Sequence, residues 1–285
     1  MEKKKAIVTG ASSGFGLLTA IQLAKQGFDV VATYRSKDKV AELVTLVKEQ
    51  GVRGNIEIFE LDVALDSSIE SFREFLGKLK RVDVLVNNAG FAGAGFVEEI
   101  PIREYRSQFD TNVFGVIAVT QAVLPYMRKQ IGGKIINVSS ISGKIGFPGL
   151  SPYIASKHAL EGWSESLRLE VKPFGIDVVL IEPGSYQTNI WTSGKRITEQ
   201  SLQEQSPYFK TMNLLQSYIE KGSNQYGNPI DVANLIVKVT QQNKTKLRYP
   251  IGKGVKAMIV MKNLLPWRLW ETILLKQLHK SENKA

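Results

Sequence analysis

The chain reads as a three-layer α/β/α fold on a doubly wound parallel sheet, and three observations point there. Seven short apolar runs rich in Val and Ile recur along it: KAIVTG, FDVVATY, NIEIFELD, VDVLVNN, KIINVSS, IDVVLIEP and LRYPI. They are apolar on both faces, as strands inside a parallel sheet must be. Longer helix-like stretches alternate with them, at Phe15–Gln26, Lys37–Gln50, Ser67–Lys80, Ile102–Gln130 and Pro152–Phe174. Strand and helix in alternation place helices on both faces of one sheet. The first run opens through glycines directly into a helix, which makes the arrangement Rossmann-type.

A length of 285 residues fits a single large domain with a sizeable core, since 43% of the chain is hydrophobic. The expected boundaries are a catalytic domain over 1–250 and a basic amphipathic C-terminal extension over 251–285. Within the domain, 185–226 breaks the rhythm. It is polar with scattered aromatic and aliphatic residues, and an insertion of this kind after a late strand suits a substrate-binding lid.

Composition excludes several chemistries. There is no cysteine, so disulfides and thiolate metal sites are out, and only two histidines, His158 and His279, stand far apart. No metal is expected. The start, MEKKKAIVTG, lacks a secretory signal's long apolar region, so a cytoplasmic protein is expected. The net charge of +10 is concentrated at one end: from Lys244 onward ten Lys or Arg stand against Glu271 and Glu282. Such a tail suits an anionic partner, a membrane surface or an acidic carrier, or else a helix with a solvated charged face. Nucleic acid is not expected.

The first strand leads into TGASSGFG, with glycines at Gly10, Gly14 and Gly16. Gly10 supplies a tight turn, Gly14 a close backbone approach to a pyrophosphate, and Gly16 close packing of helix on sheet. The helix N-terminus offers free N–H groups to phosphate, with Phe15 in its first turn and the hydroxyls of Ser12 and Ser13 alongside. The second strand ends at Arg35, where an acid would bind the 2′-OH of NAD. A guanidinium there suits a 2′-phosphate and favours NADP(H) over NAD(H). Asp62 and Val63, after the third strand, are placed for an adenine edge. Asn88, Ala89 and Gly90, after the fourth, form a turn that can lie against a flat ring. Asn112 sits inside a predicted helix, where Asn is a poor former. A bound water or a local distortion at a site would account for it.

Ser140 emerges after the fifth strand, and SPYIASKHAL follows, with Tyr153 and Lys157 one helical turn apart on one face. Pro183 and Gly184 make a sharp exit from the sixth strand, with Thr188 beyond. His158, next to Lys157, points elsewhere and reads as structural.

These motifs together resemble the short-chain dehydrogenase/reductase family, over about Lys5 to Thr188. The carriers are TGxxxGxG at Thr9–Gly16, NNAG at Asn87–Gly90, Asn112, Ser140, YxxxK at Tyr153–Lys157, and the PG-plus-Thr at Pro183–Thr188. Many NADP-using relatives carry a basic residue where Ser13 stands, which leaves Arg35 to set the preference. The resemblance implies Tyr153 as general acid, Lys157 lowering its pKa and holding the nicotinamide ribose, and Ser140 polarising the substrate oxygen. It implies that Asn112 holds a relay water. It implies a reduction of a ketone or aldehyde, or the reverse oxidation, with a homodimer or homotetramer as the assembly. The extended C-terminus resembles steroid- and retinol-type members, hence a lipophilic carbonyl or alcohol substrate. A 3-oxoacyl thioester reductase and a non-enzymatic NADP-binding regulator are the alternatives.

In the tail, Pro266 suits the start of a helix. Trp267, Trp270, Leu274 and Leu278 then fall on one face. Charges keep any run short of the ~20 apolar residues that span a bilayer. The segment is expected to wall the cleft, to form a subunit contact, or to lie at a membrane interface.

Overall fold

The structure is a computed structural model that describes residues 3–37, 40–52, 56–188, 190, 194–222 and 226–280. Its strands are β1 (Lys5–Val8), β2 (Asp29–Tyr34), β3 (Ile56–Glu60), β4 (Val84–Asn87), β5 (Ala92–Ala94), β6 (Gly133–Val138), β7 (Ile176–Pro183), β8 (Lys195–Ile197) and β9 (Arg248–Ile251). The α-helices are α1 (Gly14–Lys25), α2 (Val40–Glu49), α3 (Asp66–Leu76), α4 (Ile102–Phe109), α5 (Gly115–Lys129), α6 (Ser151–Val171), α7 (Phe209–Gly222), α8 (Pro229–Gln241), α9 (Val255–Leu264) and α10 (Trp267–Lys280).

All seven strand-like runs enter one parallel sheet in the order β3-β2-β1-β4-β6-β7-β9. The chain moves outward from β1 in one direction and then in the other, so the sheet is doubly wound, and its switch point lies between β1 and β4. Strand periodicity explains the two cores. Ala6 and Val8 of β1 pack with Leu17, Ala20 and Ile21 of α1 and Val232 and Ile236 of α8. Ile7, on the opposite face, packs with Phe72 of α3, Val119 and Val123 of α5 and Leu167 of α6. Each such fully buried side chain stabilises the fold by about 1.5–3 kcal/mol. All eight residues of β7 are buried, which is why its sequence shows no alternation.

One expectation changes. The Ile102–Gln130 stretch is not one regular helix: a π-helical turn, Asp110–Phe114, separates α4 from α5. The 185–226 segment carries β8, which pairs in parallel with β5 in a small second sheet, before α7 begins.

The C-terminal helices are fastened to the catalytic end of the sheet. A Cβ at Gly184, just after β7, would stand 2.5 Å from Val255 Cγ2 at the start of α9. Trp270 of α10 is 1% exposed, whereas Trp267 is 63% exposed. The two therefore do not share a face. Trp267 begins the helix and turns toward α9, where Lys262 Nζ lies 5.1 Å from its ring centroid. The Leu278 side chain lies outside the described residues.

Candidate active site

The site begins where β1 ends. Gly10 and Gly14 have φ of +62° and +55°, the left-handed region that glycine enters without steric cost. The turn is stitched to the exit of β4. Thr9 Oγ1 accepts from the backbone N–H groups of Asn88 and Ala89 at 2.9 and 3.0 Å. Asn88 Nδ2 donates back to the carbonyls of Thr9 and Gly10 at 3.0 and 3.1 Å. The Asn88 side chain is therefore spent on holding the turn. Ser13 precedes α1, and its side chain makes no cap. The first-turn N–H groups are left for an external anion, as a pyrophosphate site requires.

A cleft of about 250 Å³ runs along the carboxyl ends of the strands. Gly10, Ser12, Ser13, Gly14 and Phe15 line it from the glycine turn, and Arg35 from the end of β2. Asp62 and Val63 line it after β3, and Asn88, Ala89 and Gly90 after β4. Ser140 follows β6, Tyr153 and Lys157 come from α6, and Pro183, Gly184 and Thr188 follow β7. Gly16 and Asn112, the other two residues read from the sequence, stand behind this wall. Arg35 is exposed at the rim. Asp62 Oδ1 accepts from the Ala64 N–H at 3.0 Å, which leaves its second carboxylate oxygen for an adenine amino group.

Residues with no sequence motif line the cleft as well. Tyr186 meets Phe15 edge-on, with ring centroids 5.6 Å apart. Arg196 lays its guanidinium 4.2 Å from the Phe91 ring centroid. The β5–β8 pairing brings Arg196 there, and three-residue strands carry too little pattern to be seen in advance.

Asn112 sits in the π turn, so the distortion expected of it is present. Its side-chain carbonyl accepts from Phe91 N–H at 3.2 Å, while Nδ2 donates to the Phe91 carbonyl at 3.1 Å and to Ser156 Oγ at 3.2 Å. It clamps the β4 exit loop to α6. Ser140 Oγ accepts from Ser142 N–H at 3.1 Å, which fixes the hydroxyl at the head of a 3₁₀ turn. His158 is exposed and bonds through Nδ1 to the Ile154 carbonyl at 3.0 Å.

Tyr153 and Lys157 are 4% and 7% exposed, one turn apart on α6. Burial pushes the Tyr153 phenol up to about 12, and the Ser140 hydroxyl draws it only part of the way back. This differs from the expected lowering by Lys157. The Lys157 ammonium lies 5.6 Å from the Tyr153 ring centroid and donates to the Val138 carbonyl at 2.8 Å instead. Burial brings Lys157 itself down to about 8, against a partial opposing pull from Glu161. At neutral pH, then, the tyrosine holds its proton and the lysine is charged but close to its titration point.

A second cavity of about 580 Å³ adjoins the first, and Ser140 and Gly184 line both. Its walls are apolar: Met212 and Leu215 from α7, Met258 from α9, and Trp270, Ile273 and Leu274 from α10. The inner face of the C-terminal helices thus walls a pocket that reaches Ser140.

A family model for short chain dehydrogenases matches residues 4–197. An uncharacterized oxidoreductase, YusZ, of Bacillus subtilis is 51% identical over 279 residues, covering 98% of this chain and 99% of its own. A 3-ketodihydrosphingosine reductase of Bacteroides thetaiotaomicron is 36% identical over 268 residues, covering 93% and 94%. Among solved structures, a short-chain dehydrogenase from Streptomyces avermitilis superposes with a TM-score of 0.80 at 32% identity, covering all of both chains. An actinorhodin polyketide ketoreductase solved with NADPH does so at 0.75 and 28% identity, covering 89% of this chain and 97% of that one. The seven-stranded parallel sheet flanked by helices agrees with these matches. The chain belongs to the short-chain dehydrogenase family and is an oxidoreductase of the kind that acts on CH–OH groups with a nicotinamide cofactor.

Proposed function

We propose that the protein is an NADPH-dependent reductase of a lipophilic ketone or aldehyde, reversible to the alcohol. The observation that carries this reading is the junction of the two cavities at Ser140, with Tyr153 and Lys157 beside it. A bound nicotinamide supplies the hydride. The glycine turn and the α1 N-terminus hold its pyrophosphate, and Arg35 takes the 2′-phosphate. Ser140 orients the carbonyl oxygen. Tyr153, with its proton held by a raised pKa, donates to that oxygen as negative charge develops. Lys157 supplies the positive charge that steadies the phenolate left behind. Asn112 positions α6 against the β4 loop, and the 185–226 segment covers the cleft as a lid. The lipophilic assignment rests on the apolar wall of the second cavity. It is supported by the relative named for 3-ketodihydrosphingosine.

Measuring NADPH oxidation against a panel of short and long-chain ketones, aldehydes and 3-oxoacyl thioesters tests the reading. Long-chain carbonyls should give the highest kcat/KM. A preference for thioesters would replace it with the acyl-thioester assignment. NADPH binding without any turnover would leave a non-enzymatic regulator.

Cofactor choice has its own test. Arg35→Ala should weaken NADPH by about 10–100-fold, the cost of losing a charge-assisted, bidentate contact, with NADH changed by little. Equal losses for the two, measured by fluorescence titration, would remove Arg35 from the 2′-phosphate site.

The pH profile follows from Lys157. Its folded pKa is about 8, so the ammonium is intact below that value and lost as pH rises through it. kcat/KM for reduction should therefore be level near pH 7 and fall above pH 8. Lys157→Arg, which does not titrate in this range, should move any residual activity's fall to higher pH. A profile unchanged by that substitution would assign the fall to another group.

A further inference from the structure

We propose that the outward face of the α9–α10 pair seats on an anionic lipid surface and that the apolar cavity beneath it is filled from that surface. The seat stands on its own observations. The filling rests on the lipophilic-substrate reading.

The helix pair exposes several large apolar side chains where water-facing helices carry polar ones. Val260, Leu264, Trp267 and Leu269 are 47%, 77%, 63% and 53% exposed. The Lys262–Trp267 contact joins the end of α9 to the start of α10, so the exposed apolar residues belong to two helices held together. Between Gly252 and Lys276 the charges are Lys253, Lys256, Lys262, Arg268 and Lys276 against a single acid, Glu271. Among the described residues, no ion pair engages any of the five cations. Exposed aromatic and aliphatic side chains on helices with an excess of cations are the pattern of a helix lying in a membrane interface. Among the described residues no helix is long and apolar enough to cross a bilayer, so the contact would be peripheral.

Charge also selects the occupant. A second copy meeting these helices about a two-fold axis would set one net-positive segment against another, an arrangement that repels. Anionic headgroups satisfy the cations, and the acyl boundary satisfies Leu264 and Trp267.

The same two helices form the cavity wall from within. Met258, Trp270, Ile273 and Leu274 line it, and Met261 both lines it and is 40% exposed on the outside. At Met261 one side chain thus reaches both the exposed side and a pocket of about 580 Å³ that is lined in part by Ser140. A carbonyl dissolved in the bilayer would reach the catalytic serine without crossing water.

The experiment is co-sedimentation of the full chain with phosphatidylcholine vesicles, with and without a minority of phosphatidylglycerol. Wild type should partition at least about tenfold more strongly onto the anionic vesicles, and added salt should reverse it. Lys262→Glu with Arg268→Glu should abolish the preference. Leu264→Asp with Trp267→Ala should weaken binding to both vesicle types. None of these four side chains lines either cavity, so reduction of a water-soluble carbonyl and the thermal melt should stay at wild-type values, which shows that the variants fold. Turnover of a long-chain ketone carried in anionic vesicles should fall at least tenfold in the charge-reversed variant. Equal partition onto neutral and anionic vesicles would overturn the seat. So would self-association in gel filtration that the same substitutions abolish, since the face would then be a subunit contact. Vesicle binding without turnover of any long-chain carbonyl would keep the seat and reject the substrate reading and the filling route.

Discussion

Tyr153→Phe should lower kcat for carbonyl reduction by about 10³-fold while NADPH affinity stays within a few-fold, since a positioned general acid contributes on that scale. The substitution removes one oxygen and leaves the ring. The ring sits in a buried position on α6 with Ser140 on one side and Lys157 behind it, so the fold has little reason to change. What is lost is the phenol beside Ser140, a proton donor whose pKa is far enough above neutrality to be always loaded. Burial pushes Tyr153 to about 12, whereas Lys157, near 8, is turned to the Val138 carbonyl. Ser140 is fixed by the Ser142 N–H and can orient an oxygen, but an aliphatic hydroxyl is too weak an acid to replace the phenol. Single-turnover reduction separates the effects: binding should remain and hydride transfer should stall. If the variant turned over within tenfold of wild type, proton donation by Tyr153 would be wrong and a solvent path to the carbonyl oxygen would have to exist.

Most of this arrangement is legible in the sequence because it depends on short-range rules. Val- and Ile-rich runs buried on both faces can only be inner strands, and all seven entered the sheet. A strand followed by TGASSGFG specifies its own turn, because Gly10 and Gly14 occupy backbone conformations that other residues resist. Asn112 showed as an oddity, a poor helix former between apolar turns, and it lies in the π turn. What was not legible depends on long-range pairing. Nothing in Lys195–Ile197 announces a strand, yet its register against Ala92–Ala94 carries Arg196 to the cleft. The tyrosine pKa lies above its ordinary value rather than below it because spacing says which residues share a face but not how dry that face is, and burial is the largest influence on the phenol. The split between Trp267 and Trp270 arises in the same way. Periodicity groups them, whereas the fold sets α9, the helix just before, against one through Lys262 and leaves the other to the interior.

Gly16→Ala should be the most damaging single methyl in the molecule, costing about 3 kcal/mol of stability, at the upper end of the overpacking range. NADPH affinity should fall at least about tenfold. A Cβ there would stand 2.3 Å from the Gly10 carbonyl oxygen and 2.5 Å from Asn88 Nδ2. Neither neighbour is free to give way. The carbonyl belongs to a glycine already in a left-handed conformation, wedged so closely on Ala89 that a Cβ on Gly10 itself would meet Ala89 Cα at 2.8 Å. The Asn88 amide is held by its two bonds to the Thr9 and Gly10 carbonyls. The helix must therefore move away from the turn, which carries its N-terminal amides off the pyrophosphate and loosens the stitch between β1 and β4. Gly162 on α6 provides the contrast. It is exposed, nothing lies within 4 Å of its would-be Cβ, and Gly162→Ala should stabilise the helix by about 0.5–1 kcal/mol. Melting both variants with and without NADPH reads the difference directly. Gly16→Ala should melt several degrees lower and gain little from the nucleotide, while Gly162→Ala should melt at or above wild type and gain as much as wild type does. A Gly16→Ala protein with wild-type melting and an undiminished NADPH shift would mean that α1 does not pack against the turn as described, and the pyrophosphate site would have to be sought elsewhere along the strand ends.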